Sequence, residues 1–537
     1  MADGTQIFKK DDIVETTITD IGSSGEGIGK VDGYTLFIKD AVIGDAVTAK
    51  IIKAGRTYGY ARLMNIVKPS PFRVAPRCEI ARACGGCQIQ ALAYDQQLAF
   101  KQKKVRDDLI RIGGFDEKTV DQVMHPIVGM EDPFHYRNKA QIPVGRGKDG
   151  SLVAGFYAGR THVIVPVSTC YIGAPENQEI VAAVLDYMRD CNVAPYDEKT
   201  GKGLMRHIMI RSGLYSQEIM VCLVVNGKSL PHEDRLIERL SVLPHMTGIC
   251  LNVNTARTNV IMGRKVRVLW GKGYIQDCLH VFEVEQNNNV CPDERKGAGD
   301  AEISHDVNGR QAVNGVNNPN EAAGAALAGD SQVTNREGDI TFTPTGRQVQ
   351  FNISPLSFYQ VNPRQAEKLY SIALHYADLH GTETVWDLYC GVGTISLFVA
   401  GYAKEVYGVE AVPEAIEDAK KNAALNGIDN VLFEAGLVEE VIPAYLERRR
   451  KEGKKSGADV VIVDPPRKGC DEKMLDAILQ TQPPRVVYVS CDPATLARDL
   501  KVLAAGGYTL RAVTPVDQFG HTVHVETVCL MLRVEGK

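Results

Sequence analysis

The sequence predicts an α/β protein of several domains: a C-terminal doubly wound, Rossmann-like sheet, an N-terminal small β-barrel, and a mixed α+β central region between them. Three observations predict it. The 537 residues exceed what a single hydrophobic core normally organises. From about Gln360 the chain alternates strand, loop and helix: TVWDLYCGVG then TISLFVAGYA; EVYGVE then PEAIEDAKKNAALNG; DVVIVDPPR then a helix; RVVYVSC then PATLARDLKVLAAGG. That alternation marks a sheet covered by helices, with ligand chemistry at the carboxyl ends of its strands. Near the other end, short β runs separated by glycine turns fill residues 11 to 68, the pattern of a small barrel.

Composition narrows the class. At 44% hydrophobic and 24% charged, with no uninterrupted apolar run long enough to cross a bilayer, the chain does not read as a membrane protein. The start MADGTQIFKKDD lacks the pattern of a secretory signal, so a cytoplasmic location is expected. Thirteen cysteines, an odd number, then point to metal ligation, a reactive thiol or plain buried thiols rather than to a disulfide framework.

The elements divide the chain into residues 1–70 (barrel), 71–282 (central domain), 283–340 (insertion) and 341–537 (doubly wound domain). In the barrel, Gly22, Gly25, Gly27 and Gly29 with Lys30 and Lys39 offer backbone and charge to RNA, or are turn glycines beside surface lysines. The insertion carries eleven acidic and four basic residues, a net of −7 against −5 for the whole chain, and has no Phe, Tyr or Trp. It has too little apolar surface to offset the entropy of ordering and is expected to be disordered. The remainder carries +2, so the acidity of the chain is no argument against a nucleic-acid partner.

The central region carries Cys78, Cys84 and Cys87, spaced C-x5-C-x2-C, with Cys170 following 83 positions later. Such spacing in a cytosolic chain reads as a ligand set. Zinc takes four thiolates and so do iron–sulfur clusters, although C-x5-C is atypical for zinc.

In VWDLYCGVGTISL a strand ends at Asp387, Tyr389 and two glycines, Gly391 and Gly393, before a helix. Glycines at such a turn let a ligand approach the backbone, and Glu410, ending the next strand nineteen residues after Gly391, suits the two hydroxyls of a ribose. Ser396 stands where a dinucleotide site would carry its third glycine. Asp464 and two prolines close the strand VIVDPPRKG, shaping one wall of a pocket. Cys491 ends the strand of RVVYVSCDPATLARDL at a helix N-terminus, a position expected to favour thiolate. In FGHTVHVETVCLMLRV the alternation reads as an edge strand holding Glu526, a candidate general base.

These residues carry a resemblance. Ser-Phe-Tyr-Gln-Val-Asn at 357–362, the glycine loop, Asp-Pro-Pro-Arg-Lys-Gly at 464–469, Ser-Cys-Asp-Pro at 490–493 and His-Val-Glu-Thr-Val at 524–528 together closely resemble the RNA (uracil-C5)-methyltransferase family. The glycine loop looks like motif I of S-adenosylmethionine-dependent methyltransferases, and the barrel resembles the RNA-binding TRAM domain. The resemblance implies S-adenosylmethionine contacts at Gln360, Tyr389, Glu410 and Asp464, a nucleophile at Cys491 and a base at Glu526. It also implies a [4Fe–4S] cluster on Cys78, Cys84, Cys87 and Cys170, and a ribosomal RNA substrate, with transfer RNA as the alternative. One departure stands: Leu437 occupies the place where relatives carry a polar residue near the adenine, so no adenine ligand is assigned. No obligate protein partner is evident. A non-catalytic iron–sulfur RNA-binding protein is disfavoured by the intact Cys491, Glu526 and Asp464. A radical enzyme would need C-x3-C-x2-C, which the chain lacks.

Overall fold

Strict alternation of buried and exposed residues closes the first strands into a barrel, in the order Ile13–Ile21, Gly27–Val31, Tyr34–Lys39, Tyr58–Lys68, Ala46–Ala54. The inward residues Ile18, Leu36, Ile38, Val47, Ala49 and Ile51 form its core. The computed structural model describes residues 8–286, 333–334, 340–453 and 457–534.

The glycine hairpin of the barrel faces the protein. Gly25 lies at φ +89°, and a Cβ there would stand 2.5 Å from Cβ of Gln88 in the cysteine-bearing segment; a Cβ on Gly27 would stand 2.7 Å from the Ala41 carbonyl oxygen. At Gly25 and Gly27 the missing side chain permits close packing within the molecule, the turn-glycine alternative of the two readings.

A seven-stranded sheet follows, ordered Lys265–Gly271, Met246–Val253, Ile219–Val225, Met205–Ser212, Lys139–Arg146, Leu152–Tyr157, Ile164–Pro166. Helices Asn177–Asp190 and Glu233–Ser241 bury Ile180, Val184, Leu236 and Leu240 in its core. Two expected boundaries shift. Strand Ile275–Glu285 continues past position 282, with Val284 buried, and pairs antiparallel with Thr341–Ile353 beyond the acidic segment. Most of that segment lies outside the described residues; only Val333–Thr334 is placed, pairing with Thr341 and Phe342. Helices Tyr94–Arg111 and Glu117–Val123, drawn from the region assigned to the central domain, pack on the C-terminal layer. Their apolar residues Val105, Leu109, Val120 and Val123 share a core with Leu496, Leu500 and Val513.

The C-terminal sheet has the order Val431–Ala435, Glu405–Glu410, Thr384–Leu388, Val460–Val463, Arg485–Ser490, Glu526–Arg533, Tyr508–Val516. Its first five strands are parallel. Glu526–Arg533 runs antiparallel between Arg485–Ser490 and Tyr508–Val516. It is therefore an internal strand with Glu526 through Met531 buried, which corrects the edge-strand reading. The alternation HVETVCLML misled because both faces are covered, as the surroundings of a core strand require. Among the described residues no helix is long and apolar enough to cross a membrane.

Candidate active site

The parallel strands deliver their carboxyl ends to one edge of the sheet, and the predicted residues arrive there in a row: Glu410, Tyr389, Asp464, Cys491. The loop after the central strand turns back sharply. Tyr389 sits at φ +75°, Gly391 at +56° and Gly393 at +82°, and the Tyr389 and Cys390 amides both donate to the Val409 carbonyl. A non-glycine residue in the left-handed region is the kind of strain that is retained at ligand sites. A Cβ on Gly391 would meet nothing within 4 Å, so the outer side of the loop is open. Glu410 accepts from the Gly391 amide at 3.2 Å and the Val412 amide at 2.9 Å, which fixes its carboxylate at the rim.

Behind this rim lie carboxyls short of partners. Asp387 is fully buried; the Ser396 hydroxyl donates to Oδ2 at 2.5 Å, while Oδ1 has no partner. Burial pushes its pKa up to about 7, as it does that of Asp464, whose ionisation the Asp387 charge opposes further. Asp464 keeps part of its surface open to the crevice. Gln360 is buried and accepts from Gln518 Nε2 at 3.4 Å. The phenol of Tyr370, from helix Pro363–Ala377, reaches the side chains of Gln360 and Thr394 and is close enough to feel Asp464 and Glu526. Sequence reasoning missed Tyr370 because its helical spacing reads as core, which it also is.

Cys491 and Glu526 come together through strand register. Ser490 pairs with Thr527, so one step along the antiparallel ladder Cys491 stands opposite Glu526. Glu526 is 3% exposed, and burial, reinforced by Asp464, raises its pKa to about 8. The Cys491 thiol is pushed up to about 12, first by burial and then by the charges of Glu526 and Asp464. The expected thiolate is thus not favoured in the free protein. Asp492 adds a smaller contribution of the same sign, and its carboxylate already accepts from the Ala494 and Thr495 amides at the helix N-terminus, at 3.0 and 3.2 Å. Arg467, in the exposed turn after the two prolines, is the cation that opposes the shifts of both groups. His524 is held neutral, its pKa lowered to about 4 by burial and by Arg467, Lys104 and Lys101.

The loop leading into Glu526 is fastened from outside the C-terminal domain. Lys101 donates to Asp517 at 2.5 Å and to the Phe519 carbonyl at 2.9 Å, and the Tyr94 hydroxyl donates to Asp517 at 2.7 Å. The Gln88 and Ile89 amides donate to the His521 carbonyl at 3.0 and 3.1 Å. The Lys101 and Asp517 side chains are both fully buried. Replacing Lys101 by Met leaves a buried carboxylate without its cation, an expected loss of about 3–5 kcal/mol of stability. Denaturant unfolding checks this, and a loss below about 1 kcal/mol would show that water reaches Asp517.

Cys78, Cys84, Cys87 and Cys170 line one cavity of about 330 Å³ in the central domain. Burial raises the Cys78 and Cys84 pKa values and pushes Cys87 up to about 12, and the charge of Cys170 opposes the ionisation of all three. Arg137 and Lys139 line the same cavity, Lys139 without an ion pair among the described residues. Among the described residues no group of three or more His, Cys, Asp or Glu side chains is gathered tightly enough to hold a metal ion as it stands. Four thiols beside two cations nevertheless suit a thiolate-held, anionic group, since the cations offset the charge that burial penalises.

A glycine loop, a rim acid and buried carboxyls thus gather at the switch point of this sheet, beside Cys491 and Glu526. A family model described as tRNA (uracil-5-)-methyltransferase matches residues 338–534, and the TRAM domain model matches residues 11–64. An uncharacterized RNA methyltransferase of Halalkalibacterium halodurans is 44% identical over 97% of this chain and 97% of its own. Another, from Clostridium tetani, is 41% identical, again over 97% of each chain. The crystal structure of Pyrococcus abyssi tRNA (uracil-54, C5)-methyltransferase with S-adenosyl-L-homocysteine shares the fold, at TM-score 0.67 and 24% identity, covering 97% of this chain and all of that one. The chain belongs to the family of these RNA methyltransferases.

Proposed function

We propose that the protein transfers a methyl group from S-adenosylmethionine to C5 of uridine in ribosomal RNA, through a covalent bond between Cys491 and uracil C6. The observation that carries this reading is Cys491 opposite Glu526 at the edge that also holds Glu410, Tyr389 and Asp464. Gln360, Tyr389, Glu410 and Asp464 hold the methyl donor, with Glu410 on the ribose hydroxyls. Uracil C5 is a weak nucleophile. Sulfur addition at C6 converts the ring to an enolate, C5 takes the methyl from the sulfonium, and Glu526 removes the C5 proton as the carbon–sulfur bond breaks. The target base must leave its stack to enter the crevice. The high thiol pKa is that of the free protein; a bound sulfonium cation would favour the thiolate, with the thiol proton released to solvent before sulfur adds to C6.

Charge linkage gives a test of the donor site. Asp387 and Asp464 titrate near 7 in the free protein, and a sulfonium favours their ionised forms. Binding therefore releases protons, and affinity for S-adenosylmethionine should rise with pH up to about 7, by up to about tenfold per unit for each carboxyl that must ionise. The sign is opposite for stability. Raised carboxyl pKa values stabilise the protonated folded state, so the free protein loses this contribution as pH rises from about 4 to about 8. Calorimetry in two buffers of different ionisation enthalpy reads the released protons; pH-independent affinity between 5.5 and 7.5 would remove these carboxyls from the donor site.

Cys78, Cys84, Cys87 and Cys170 are the proposed holders of a [4Fe–4S] cluster, which would supply a rigid crosslink within the central domain. Anaerobically purified protein should contain about four irons per chain. One zinc and no iron would overturn this assignment. Transfer RNA is the second reading, favoured by the description of the family model and by the activity of the Pyrococcus abyssi protein. Mass mapping of 5-methyluridine in separated ribosomal and transfer RNA, from cells with and without the protein, decides between them.

A further inference from the structure

Gly25 of the glycine hairpin packs against Gln88, while Gly22 lies against the ring of Phe37 on the outer side of the barrel. The outer side of strands Tyr34–Lys39 and Tyr58–Lys68 carries three rings in mutual contact. Phe37 lies 5.4 Å from Tyr60 and 5.8 Å from Tyr58, and Tyr58 lies 6.0 Å from Tyr60, between ring centroids. Strand register produces the cluster, because Phe37 pairs with Tyr60 and Thr35 with Tyr58. Tyr58 is 47% exposed although three rings together would ordinarily be covered.

Cations frame the rings. Arg62 pairs with Lys39 two residues along the same ladder, Lys53 stands opposite Tyr60 on the next strand, and Lys30 lies opposite Thr35 on the other side. Lys30, Lys53 and Arg62 are exposed and make no ion pair among the described residues. Three acids of the barrel are engaged elsewhere, Asp40 with Arg82, Glu26 with Arg160 and Asp11 with Lys50, while Asp32 in the turn beyond Lys30 makes no ion pair among the described residues.

We infer that this face is a stacking platform for unpaired nucleotides of the substrate RNA, bases against Phe37, Tyr58 and Tyr60 and phosphates along Lys30, Lys53 and Arg62. An exposed ring backed by two half-buried ones and framed by cations matches a single strand, whose bases are available to stack, better than a duplex, whose bases are not. The inference rests on the RNA-substrate reading above and adds the face and the kind of RNA it takes.

The test measures binding of the full-length protein to a labelled 12-nucleotide single-stranded RNA and to a duplex of the same sequence, across a salt series. Tyr58→Ala and Phe37→Ala should each weaken single-strand binding about 5- to 150-fold, leave the salt dependence unchanged and leave duplex binding nearly untouched. Tyr58→Phe should retain wild-type affinity. Lys53→Ala and Arg62→Ala should instead each lower the slope of log affinity against log salt by about 0.7. Thermal unfolding of each variant identifies any that lose the barrel, and Tyr58→Ala, truncating an exposed ring, then decides. Unchanged single-strand affinity in Tyr58→Ala, or an equal loss on duplex, overturns the platform. If wild-type protein binds single strands through these residues yet methylates no uridine, the platform stands and the catalytic reading fails.

Discussion

Cys491→Ala is expected to lose methyl transfer by on the order of 10⁴-fold or more while binding S-adenosylmethionine within a few-fold of wild type. The scale is that of removing a covalent nucleophile, because without sulfur at C6 the ring has no enolate with which to attack the sulfonium. The retained donor affinity follows from the geometry. Glu410 and the Tyr389 loop lie on one side of the Asp464 strand, and Cys491 lies on the other. The substitution also removes a group whose ionisation burial, Glu526 and Asp464 all oppose, so no large stability loss accompanies it. Single-turnover methylation of RNA and equilibrium binding of the donor check the two halves separately. Turnover above a few per cent of wild type would end the nucleophile assignment, and a matching loss of donor affinity would place Cys491 in the donor site.

The doubly wound sheet was legible because each strand is a nearly continuous apolar run ending in a chemically distinctive loop, as in VIVDPPR and RVVYVSC. The row of strand ends follows from that pattern alone. What the sequence concealed depends on contacts between distant segments. Burial of Glu526 needs Tyr508–Val516 to pass on its far side, and the segment HVETVCLML reads the same whether or not a neighbour is there. The high pKa of Cys491 is a second case. A helix N-terminus predicts thiolate, but burial and the charges of Glu526 and Asp464, both distant in sequence, outweigh it. The anchoring of the loop before Glu526 by Lys101 and Gln88 joins residues more than 400 positions apart, and no local pattern reports such a contact. The glycine hairpin is ambiguous for another reason: free backbone at a turn and close packing against Gln88 require the same residue.

Glu526→Gln is expected to stall the reaction after methylation and before release. Burial and the neighbouring Asp464 hold the Glu526 pKa at about 8, close to the pH at which a carboxylate both accepts a proton and remains partly ionised. The amide is nearly isosteric, so Cys491 still adds to C6 and C5 still receives the methyl group. An amide cannot accept the C5 proton, and elimination of sulfur requires that proton to leave. Turnover should fall by about 10²–10⁴-fold, the usual contribution of a positioned base, while a methylated RNA–protein adduct accumulates. The adduct should survive denaturing electrophoresis as a band shifted by the mass of the RNA, carry label from methyl-labelled donor, and vanish in the double variant with Cys491→Ala. The neutral amide also removes the charge that, after burial, most raises the Cys491 pKa, so adduct formation should itself proceed at lower pH than in wild type. Release of free methylated RNA at the wild-type rate, or no labelled adduct in the single variant, would transfer the proton abstraction to another group or to water.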